Sequence, residues 1–200
     1  DTTLINGDCF EYLPDIPDKS IDMILADPPY GTTACKWDSV IPLQAMWEQL
    51  PRLISPRGAI VMTATQPFTT ALIHSNLDMF KYAWVWEKEQ SHTPLNSKFQ
   101  PLKVHEDIVV FSKSPSTYSK NGTMRYNPQM TEGRPYRGTT AKQGAHTFHG
   151  NIDVDFRKDN KGTRFPRSVI FCKRETGHHP TQKPVALMEY LIRTYTDAGD

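Results

Sequence analysis

The sequence predicts an α/β fold with a largely parallel sheet, and two observations support this. Short, continuous apolar runs of the kind found in strands buried on both faces recur along the chain. Between them lie segments whose apolar residues repeat every three or four positions, which is typical of amphipathic helices. Strands separated by helical patterns indicate a layered sheet covered by helices. The length of 200 residues suits one domain with a small insertion.

Each predicted element has a sequence signal of its own. A helix over 43–54 begins after Pro42, and Ser55-Pro56-Arg57-Gly58 is predicted to end it. A further helix follows at 68–76, and the last helix, over 184–196, carries an apolar stripe. The apolar runs predict strands at 3–6, 21–26, 59–63, 82–86, 108–111 and 168–171.

The charge is unevenly distributed, although the formal net charge is only +1. Residues 113–174 contain 13 Lys and Arg against 4 Asp and Glu, whereas the remainder contains 10 against 18. We therefore divide the chain into an α/β core (1–112), an irregular basic insertion (113–174) and a C-terminal segment (175–200). The basic block predicts either a surface that faces a polyanion or a solvated loop without a partner.

The cysteines and histidines point to neither a disulfide framework nor a metal site. Three widely spaced cysteines, with no CxxC pair, are typical of free thiols in a reducing compartment, so we expect a cytoplasmic protein. His146-Thr147-Phe148-His149 and His178-His179 lack an accompanying Cys or carboxylate cluster, and no metal is expected. No apolar run reaches the 18 residues that a membrane span needs, so no membrane partner is expected.

The sharpest chemical feature is Asp27-Pro28-Pro29-Tyr30, which directly follows the predicted strand at 21–26. Ligands of α/β sheets bind at the carboxyl ends of strands. A carboxylate, a proline carbonyl without a competing N–H and an aromatic ring suit an exocyclic amino group on a planar base. The alternative is a structural proline turn, with Asp27 as a cap and Tyr30 as packing.

Together with other segments, this motif resembles the DNA amino methyltransferases that use S-adenosylmethionine. Gly7-Asp8-Cys9 is similar to the family's segment near the cofactor adenine, and residues 101–113 are similar to another common segment. His179-Pro180-Thr181-Gln182-Lys183-Pro184 resembles a motif of the cofactor pocket. The order of these pieces is similar to the circularly permuted β subgroup, in which the catalytic half comes first.

The resemblance implies a Rossmann-like methyltransferase sheet, with 1–112 as catalytic core, 113–174 as target-recognition insertion and 175–200 as part of the cofactor pocket. The implied catalytic residues are Asp27, Pro28, Pro29 and Tyr30. The implied residues for S-adenosylmethionine are Asp8, Cys9, Asp27, His179, Thr181, Gln182, Lys183 and Pro184. The implied contacts to double-stranded DNA are Lys36, Trp37, Arg125, Arg134, Arg137, Lys142, Arg164 and Arg167.

The implied chemistry is methylation of the exocyclic amine of a flipped base, with Tyr30 stacking on the base while Asp27 and the Pro28 carbonyl accept hydrogen bonds from the amine. Asp at the first motif position favours adenine N6, and cytosine N4 is the alternative. Cytosine C5 chemistry is rejected because neither Cys9 nor Cys35 stands in a matching nucleophile motif. RNA or a protein amide, modified by the same chemistry, is a further alternative.

A glycine-rich cofactor loop normally follows the last helix in the family that the sequence resembles. The chain reaches Asp200 where the strand before that loop would begin. We therefore expect a working methyltransferase whose sequence is truncated before this loop, and the expected protein partner is a second copy in a homodimer or a complementing C-terminal segment. The alternative is a catalytically incomplete remnant or split half that binds DNA but needs a partner or has lost catalysis.

Overall fold

The computed structural model describes residues 2–33, 35, 38–91, 94–138, 146, 147, 150, 151, 159–177 and 181–200. The chain divides into two compact units, one formed by Asp1–Asn127 with Ser168–Asp200 and the other by Pro128–Arg167. The smaller unit lies inside the predicted insertion. Residues 113–127 and 168–174, which we had assigned to that insertion, belong to the larger unit.

The secondary structure follows the predicted alternation. In chain order the elements are α1 (Cys9–Tyr12), a 3-10 helix (Leu13–Asp15), β1 (Ile21–Ala26), α2 (Leu43–Leu53), β2 (Ile54–Ala64), α3 (Phe68–His74), β3 (Phe80–Glu87), a 3-10 helix (Pro94–Asn96), β4 (His105–Phe111), β5 (Thr131–Glu132), β6 (His146–Thr147), β7 (Gly150–Asn151), β8 (Thr163–Arg164), β9 (Val169–Phe171) and α4 (Val185–Tyr195).

Two local predictions are wrong. Residues 3–6 form no strand, and Leu4 and Ile5 are exposed because no described strand pairs with this apolar run. The segment Ser55-Pro56-Arg57-Gly58 does not terminate α2, since the helix ends at Leu53 and β2 begins at Ile54. Residues 55–58 lie instead in β2, where they make its pairing with β1 irregular. Ile21 pairs with Ile54, whereas Met23, two residues later, pairs with Ala59.

The main sheet has the strand order β1-β2-β4-β3-β9. β1 pairs with β2 and β3 pairs with β9 in parallel, whereas β4 is antiparallel to both of its neighbours. Four of the five strands therefore run in the same direction, which confirms a largely parallel sheet. β4 is the exception, and nothing in its own sequence distinguishes its direction.

Helices cover both faces of this sheet. Alternate residues of β2 belong to two different apolar clusters: Ile60 packs with α2 and α3 in one, and Val61 packs with α4 in the other. Since neighbouring residues of a strand point to opposite faces, the two clusters lie on opposite sides of the sheet. Within the second cluster, Trp84 Nε1 donates a hydrogen bond to the Tyr195 hydroxyl at 2.7 Å. Both buried polar groups therefore have a partner.

The described residues of the smaller unit form only short strands and one isolated bridge. β5 pairs with β8, β6 pairs with β7, and Tyr136 forms an isolated bridge with Asn160. This agrees with the predicted irregular stretch. Among the helices in the described part of the chain, none has the length and apolar character needed to cross a membrane.

Candidate active site

The strand directions bring several chain segments together at one edge of the main sheet. β1, β2 and β3 end there, and β4 begins there. Asp27, Thr65 and Lys88 directly follow the first three strands, and Glu106 is the second residue of β4. This is the carboxyl edge, where ligands of α/β sheets commonly bind.

The Asp27 carboxylate is oriented by three neighbours. Its Oδ1 accepts hydrogen bonds from the Thr63 hydroxyl at 2.5 Å and from the Tyr30 hydroxyl at 2.9 Å. The Lys183 ammonium lies 2.8 Å from Oδ1 and 2.9 Å from Oδ2. Thr63 is in position because Ala26 pairs with Met62, which places the next residue of each strand side by side. The carboxylate therefore has a fixed direction, while its side chain remains 43% exposed.

The Tyr30 ring is held by an aromatic neighbour and by charge. It stacks on Phe68, with ring centroids 5.6 Å apart, and the Lys183 ammonium lies 5.4 Å from its centroid. Its hydroxyl also donates to Glu106 Oε2 at 3.4 Å. Burial, followed by the charges of Glu106 and Asp27, raises the pKa of Tyr30 above its usual value. Tyr30 is therefore a neutral phenol at any ordinary pH.

Lysine and carboxylate side chains alternate across the site. Lys88 pairs with Glu106 Oε1, and Lys183 Nζ lies 3.6 Å from Glu106 Oε2 while it also pairs with Asp27. The Lys88 side chain is only 6% exposed, and its ammonium lies 4.5 Å from the centre of the Trp86 ring. Burial lowers the pKa of Lys88, and the contact with Glu106 opposes this shift. Lys88, Lys183 and Glu106 therefore each have a partner of opposite charge.

The loop after the motif is fixed by one buried carboxylate. Asp38 accepts the backbone N–H groups of Gly31, Thr32 and Thr33 at 2.8, 2.9 and 2.7 Å. Burial alone would raise the pKa of Asp38, but hydrogen bonds from Thr33 and from these backbone groups lower it to about 2. Gly31 has φ +67°, and a Cβ there would lie 2.7 Å from Val40 Cγ2, so the turn requires glycine.

Two cavities open between these residues. The smaller, of about 160 Å³, includes the whole Asp27-Pro28-Pro29-Tyr30 motif, and the larger has a volume of about 530 Å³. Lys88, Lys103 and Glu106 line the larger cavity. The residues common to both are Tyr30, Thr32, Thr33, Thr181 and Lys183. The motif at 27–30 and the segment before α4, 156 residues apart between Asp27 and Lys183, therefore form one site.

The predicted cofactor residues fall into separate groups. Thr181, Gln182 and Lys183 line the larger cavity, and Pro184 is the residue that precedes the first turn of α4. Asp8 caps α1 by accepting from the Phe10 N–H at 3.0 Å, and Cys9 is exposed. Neither of the two cavities includes these N-terminal residues, whose role stays a prediction. His179 lies outside the described residues.

The predicted DNA contacts also separate. Arg125 pairs with Asp22, Asp197 and Asp200, which favours a structural role for its guanidinium. Arg164 donates to Asn160 Oδ1 at 2.6 Å and packs over the Tyr136 ring at 4.8 Å. The exposed members of this set are Arg134, Arg137 and Arg167. Lys36, Trp37 and Lys142 lie outside the described residues.

Several residues of the site were not identified from the sequence: Thr63, Lys88, Lys103 and Glu106. Lys103 and Glu106 lie in the segment 101–113 that resembles the family, but no role was assigned to either residue there. Lys88 had only a weak local signal, a charged residue directly after an apolar strand. In the part of the chain that the structure describes, no three His, Cys, Asp or Glu side chains form a group that could hold a metal ion. The expectation of no metal stays a prediction.

Comparison with known sequences identifies the family. Residues 21–200 match the sequence profile of the N6/N4 DNA methylases. The chain belongs to this family. The resemblance noted from the motifs is thereby confirmed, and the profile includes both the 27–30 motif and the segment before α4.

Individual DNA methylases agree with this assignment. The chain is 26% identical over 213 residues to the type II methyltransferase M.HpaI of Haemophilus parainfluenzae, a match that covers 100% of the chain and 62% of M.HpaI. It is 28% identical to the DNA adenine methyltransferase YhdJ of Escherichia coli, covering 99% of the chain and 68% of YhdJ. The chain thus spans about three-fifths of the length of M.HpaI.

A solved structure supports the predicted fold. The crystal structure of the M1.HpyAVI–SAM complex superposes with a TM-score of 0.56 at 19% identity, covering 98% of the chain and 78% of that structure. At this level of identity the likeness concerns the fold. It confirms the Rossmann-like methyltransferase sheet.

Proposed function

We propose that this protein transfers a methyl group from S-adenosylmethionine to the exocyclic N6 of adenine in double-stranded DNA. The observation that carries the proposal is the smaller cavity, in which an oriented carboxylate, two prolines and an aromatic ring meet at the carboxyl edge of the sheet. Membership of the N6/N4 DNA methylases supports methylation of an exocyclic amine. The Asp at the first motif position favours adenine, which is also the base in the name of YhdJ.

The residues of the smaller cavity have distinct tasks in this proposal. A base inside a duplex must first be extruded from the stack, which costs a few kcal/mol. Tyr30 then stacks its ring on the flipped base. Asp27 and the Pro28 carbonyl each accept a hydrogen bond from one N–H of the amino group of the base. Accepting these bonds increases electron density on the nitrogen and orients its lone pair. Thr63 and Lys183 hold the Asp27 carboxylate in the direction that this contact requires.

The larger cavity suits S-adenosylmethionine in size and in polarity. Its volume of about 530 Å³ lies within the range of small-molecule sites. Lys103 and Glu106 offer charges of both signs for the amino-acid portion of the ligand, and Trp86 offers an apolar wall. Thr181, Gln182 and Lys183 would also contact the cofactor, which supplies an electrophilic methyl group when bound. We include in this proposal that a second copy in a homodimer, or a complementing C-terminal segment, takes part in the enzyme.

Affinity for DNA is assigned to exposed cations of the smaller unit. Arg134, Arg137 and Arg167 are exposed, whereas Arg125 and Arg164 have structural contacts. Contacts of Arg with phosphates give strong, salt-dependent affinity without sequence preference. The rate of methyl transfer to duplex DNA should therefore fall steeply with added salt.

A transfer assay with competing substrates tests this function. The intact protein is incubated with S-adenosylmethionine labelled in its methyl group and with equal masses of duplex DNA, RNA and a mixed protein substrate. We expect label in the duplex DNA, and we expect calorimetry to detect binding of the cofactor. Label in RNA or protein alone would overturn the proposed substrate. Duplex binding without cofactor binding or transfer would support the DNA-binding remnant instead.

A further inference from the structure

The loop between β3 and β4 emerges beside the candidate active site. It leaves the carboxyl edge at Lys88 and returns at Val104, and the Lys88 N–H donates to the Val104 carbonyl at 2.7 Å. Lys88 and Lys103, near its two ends, line the larger cavity. The base of the loop is also anchored because the Arg174 N–H donates to Glu89 Oε2 at 3.0 Å. The base of the loop is therefore held beside the site.

The tip of this loop presents two apolar side chains to solvent. Leu95 is 91% exposed and Phe99 is 87% exposed. The tip is folded, since Pro94–Asn96 forms a 3-10 helix, the Ser97 N–H donates to Pro94 O at 3.2 Å, and the Phe99 N–H donates to Asn96 O at 2.9 Å. Leaving large apolar side chains in water forgoes the stabilisation that burial would give. A folded turn that holds two of them outward is therefore suited to contact with a partner.

We propose that Leu95 and Phe99 form a wedge that enters the base stack of duplex DNA next to the flipped nucleotide. The proposal rests on the proposed function, because extrusion of a base leaves a gap in the stack beside the site. Apolar side chains inserted between base steps unstack and kink the duplex. Lys98, which is exposed and directly precedes Phe99 in the sequence, adds a positive charge that suits the phosphates.

A second exposed aromatic provides a matched control. Tyr118 is 91% exposed, much like Phe99. It follows β4, which ends at Phe111 opposite Phe80, the first residue of β3, and thus belongs to a segment that leaves the other edge of the sheet. If removal of any exposed aromatic side chain lowered the rate of methyl transfer, variants at Phe99 and Tyr118 would lose the same amount. A wedge must lie at the sheet edge that carries Asp27, so only Phe99 should matter.

The first test compares duplex DNA with heat-denatured DNA of the same sequence as methyl acceptors. The double variant Leu95→Ala/Phe99→Ala is expected to methylate duplex about tenfold more slowly, the scale of removing one base-stacking aromatic. It should keep its rate on denatured DNA, where no stack must be opened. Tyr118→Ala should behave as the wild type on both. Equal losses on the two DNA forms, or an unchanged rate on duplex, would overturn the wedge.

The second test does not depend on methyl transfer. Plasmid DNA is relaxed by a topoisomerase in the presence of the protein, and the change in linking number reports local unstacking and kinking. The wild type and Tyr118→Ala are expected to shift the linking number, and the double variant is expected not to. A shift without any methyl transfer would reject the proposed function but retain the wedge. The absence of a shift with bound wild type would reject the wedge.

Discussion

The two ends of β1 carry similar charges in different settings. Asp22, near the start of the strand, lies 3.7 Å from Arg125, which also pairs with Asp197 at 3.1 Å and with Asp200. Asp27, directly after the strand, pairs with Lys183. One end thus has a single guanidinium among three carboxylates, and the other has lysines and carboxylates in alternation.

The difference between these ends lies in the space around the charges. Neither of the two cavities includes Asp22 or Arg125. Asp27 and Lys183 line the smaller cavity, and Lys183 also lines the larger one. Charged groups that surround a cavity and an aromatic ring can exchange their partners for a ligand, whereas a closed surface cluster serves to connect chain segments. A charge cluster alone is therefore a weak sign of function, and its concave surroundings are the stronger sign.

Replacement of the aspartate at either end should give the largest contrast. Asp27→Ala removes the proposed acceptor for the amine and should lower the rate of methyl transfer by roughly 100- to 1000-fold, as the loss of an oriented electrostatic contact does. Asp22→Ala, the matched control on the same strand, should stay within about twofold of the wild type. Both rates are measured under single-turnover conditions, with DNA affinity measured in parallel. A parallel loss of DNA affinity in Asp27→Ala would assign this residue a structural role.

The buried pair of Lys88 and Glu106 should give the next largest effect, in stability. Glu106→Gln leaves the Lys88 ammonium buried without its counter-charge and should lower the free energy of unfolding by about 3 kcal/mol. Urea denaturation measures this change. The control is Glu189→Gln, which breaks an exposed pair with Arg193 and should cost at most about 0.5 kcal/mol. If both variants lost the same unfolding free energy, the pair of Lys88 and Glu106 would behave as a solvated surface pair.

The Asp38 cap should give a smaller effect with a defined pH dependence. Its pKa is lowered to about 2 in the folded state, so its contribution is fully present above the unfolded value of about 3.9 and is lost as the pH falls through about 2. Asp38→Asn should cost about 1 kcal/mol at pH 6, the usual worth of a cap. The difference in unfolding free energy between wild type and variant should shrink between pH 4 and 2. A difference independent of pH in this window would reject the charged cap.

The sequence predicts best what depends on neighbouring residues. β1 and the motif after it are contiguous, so an apolar run followed by Asp27-Pro28-Pro29-Tyr30 was enough to predict both. The role of Glu106 depends on the antiparallel register of β3 and β4, in which Glu106 faces Trp86 and so lies diagonally next to Lys88. Register between distant strands has no local signature in the sequence. The sequence analysis therefore assigned no role to Lys88 or Glu106.

Charge counts also leave long-range partners out. Arg125 is predicted to contact DNA because it lies in a basic stretch, and this stays a prediction, but in the fold it pairs with the carboxylates of Asp22 and Asp197, which lie in distant parts of the chain. The apolar run at 3–6 likewise predicted a strand, and no described strand pairs with it. In both cases the outcome is determined by a long-range partner, or by the absence of one among the described residues.

The central claim is that the carboxyl end of β1 methylates the N6 amine of adenine. The most direct measurement is mass spectrometry of the nucleosides released from duplex DNA after reaction with wild type and with Asp27→Ala. The account predicts N6-methyladenine with the wild type and none above background with the variant. N4-methylcytosine would contradict the choice of base, and 5-methylcytosine, or an equal yield of N6-methyladenine from the variant, would contradict the site itself.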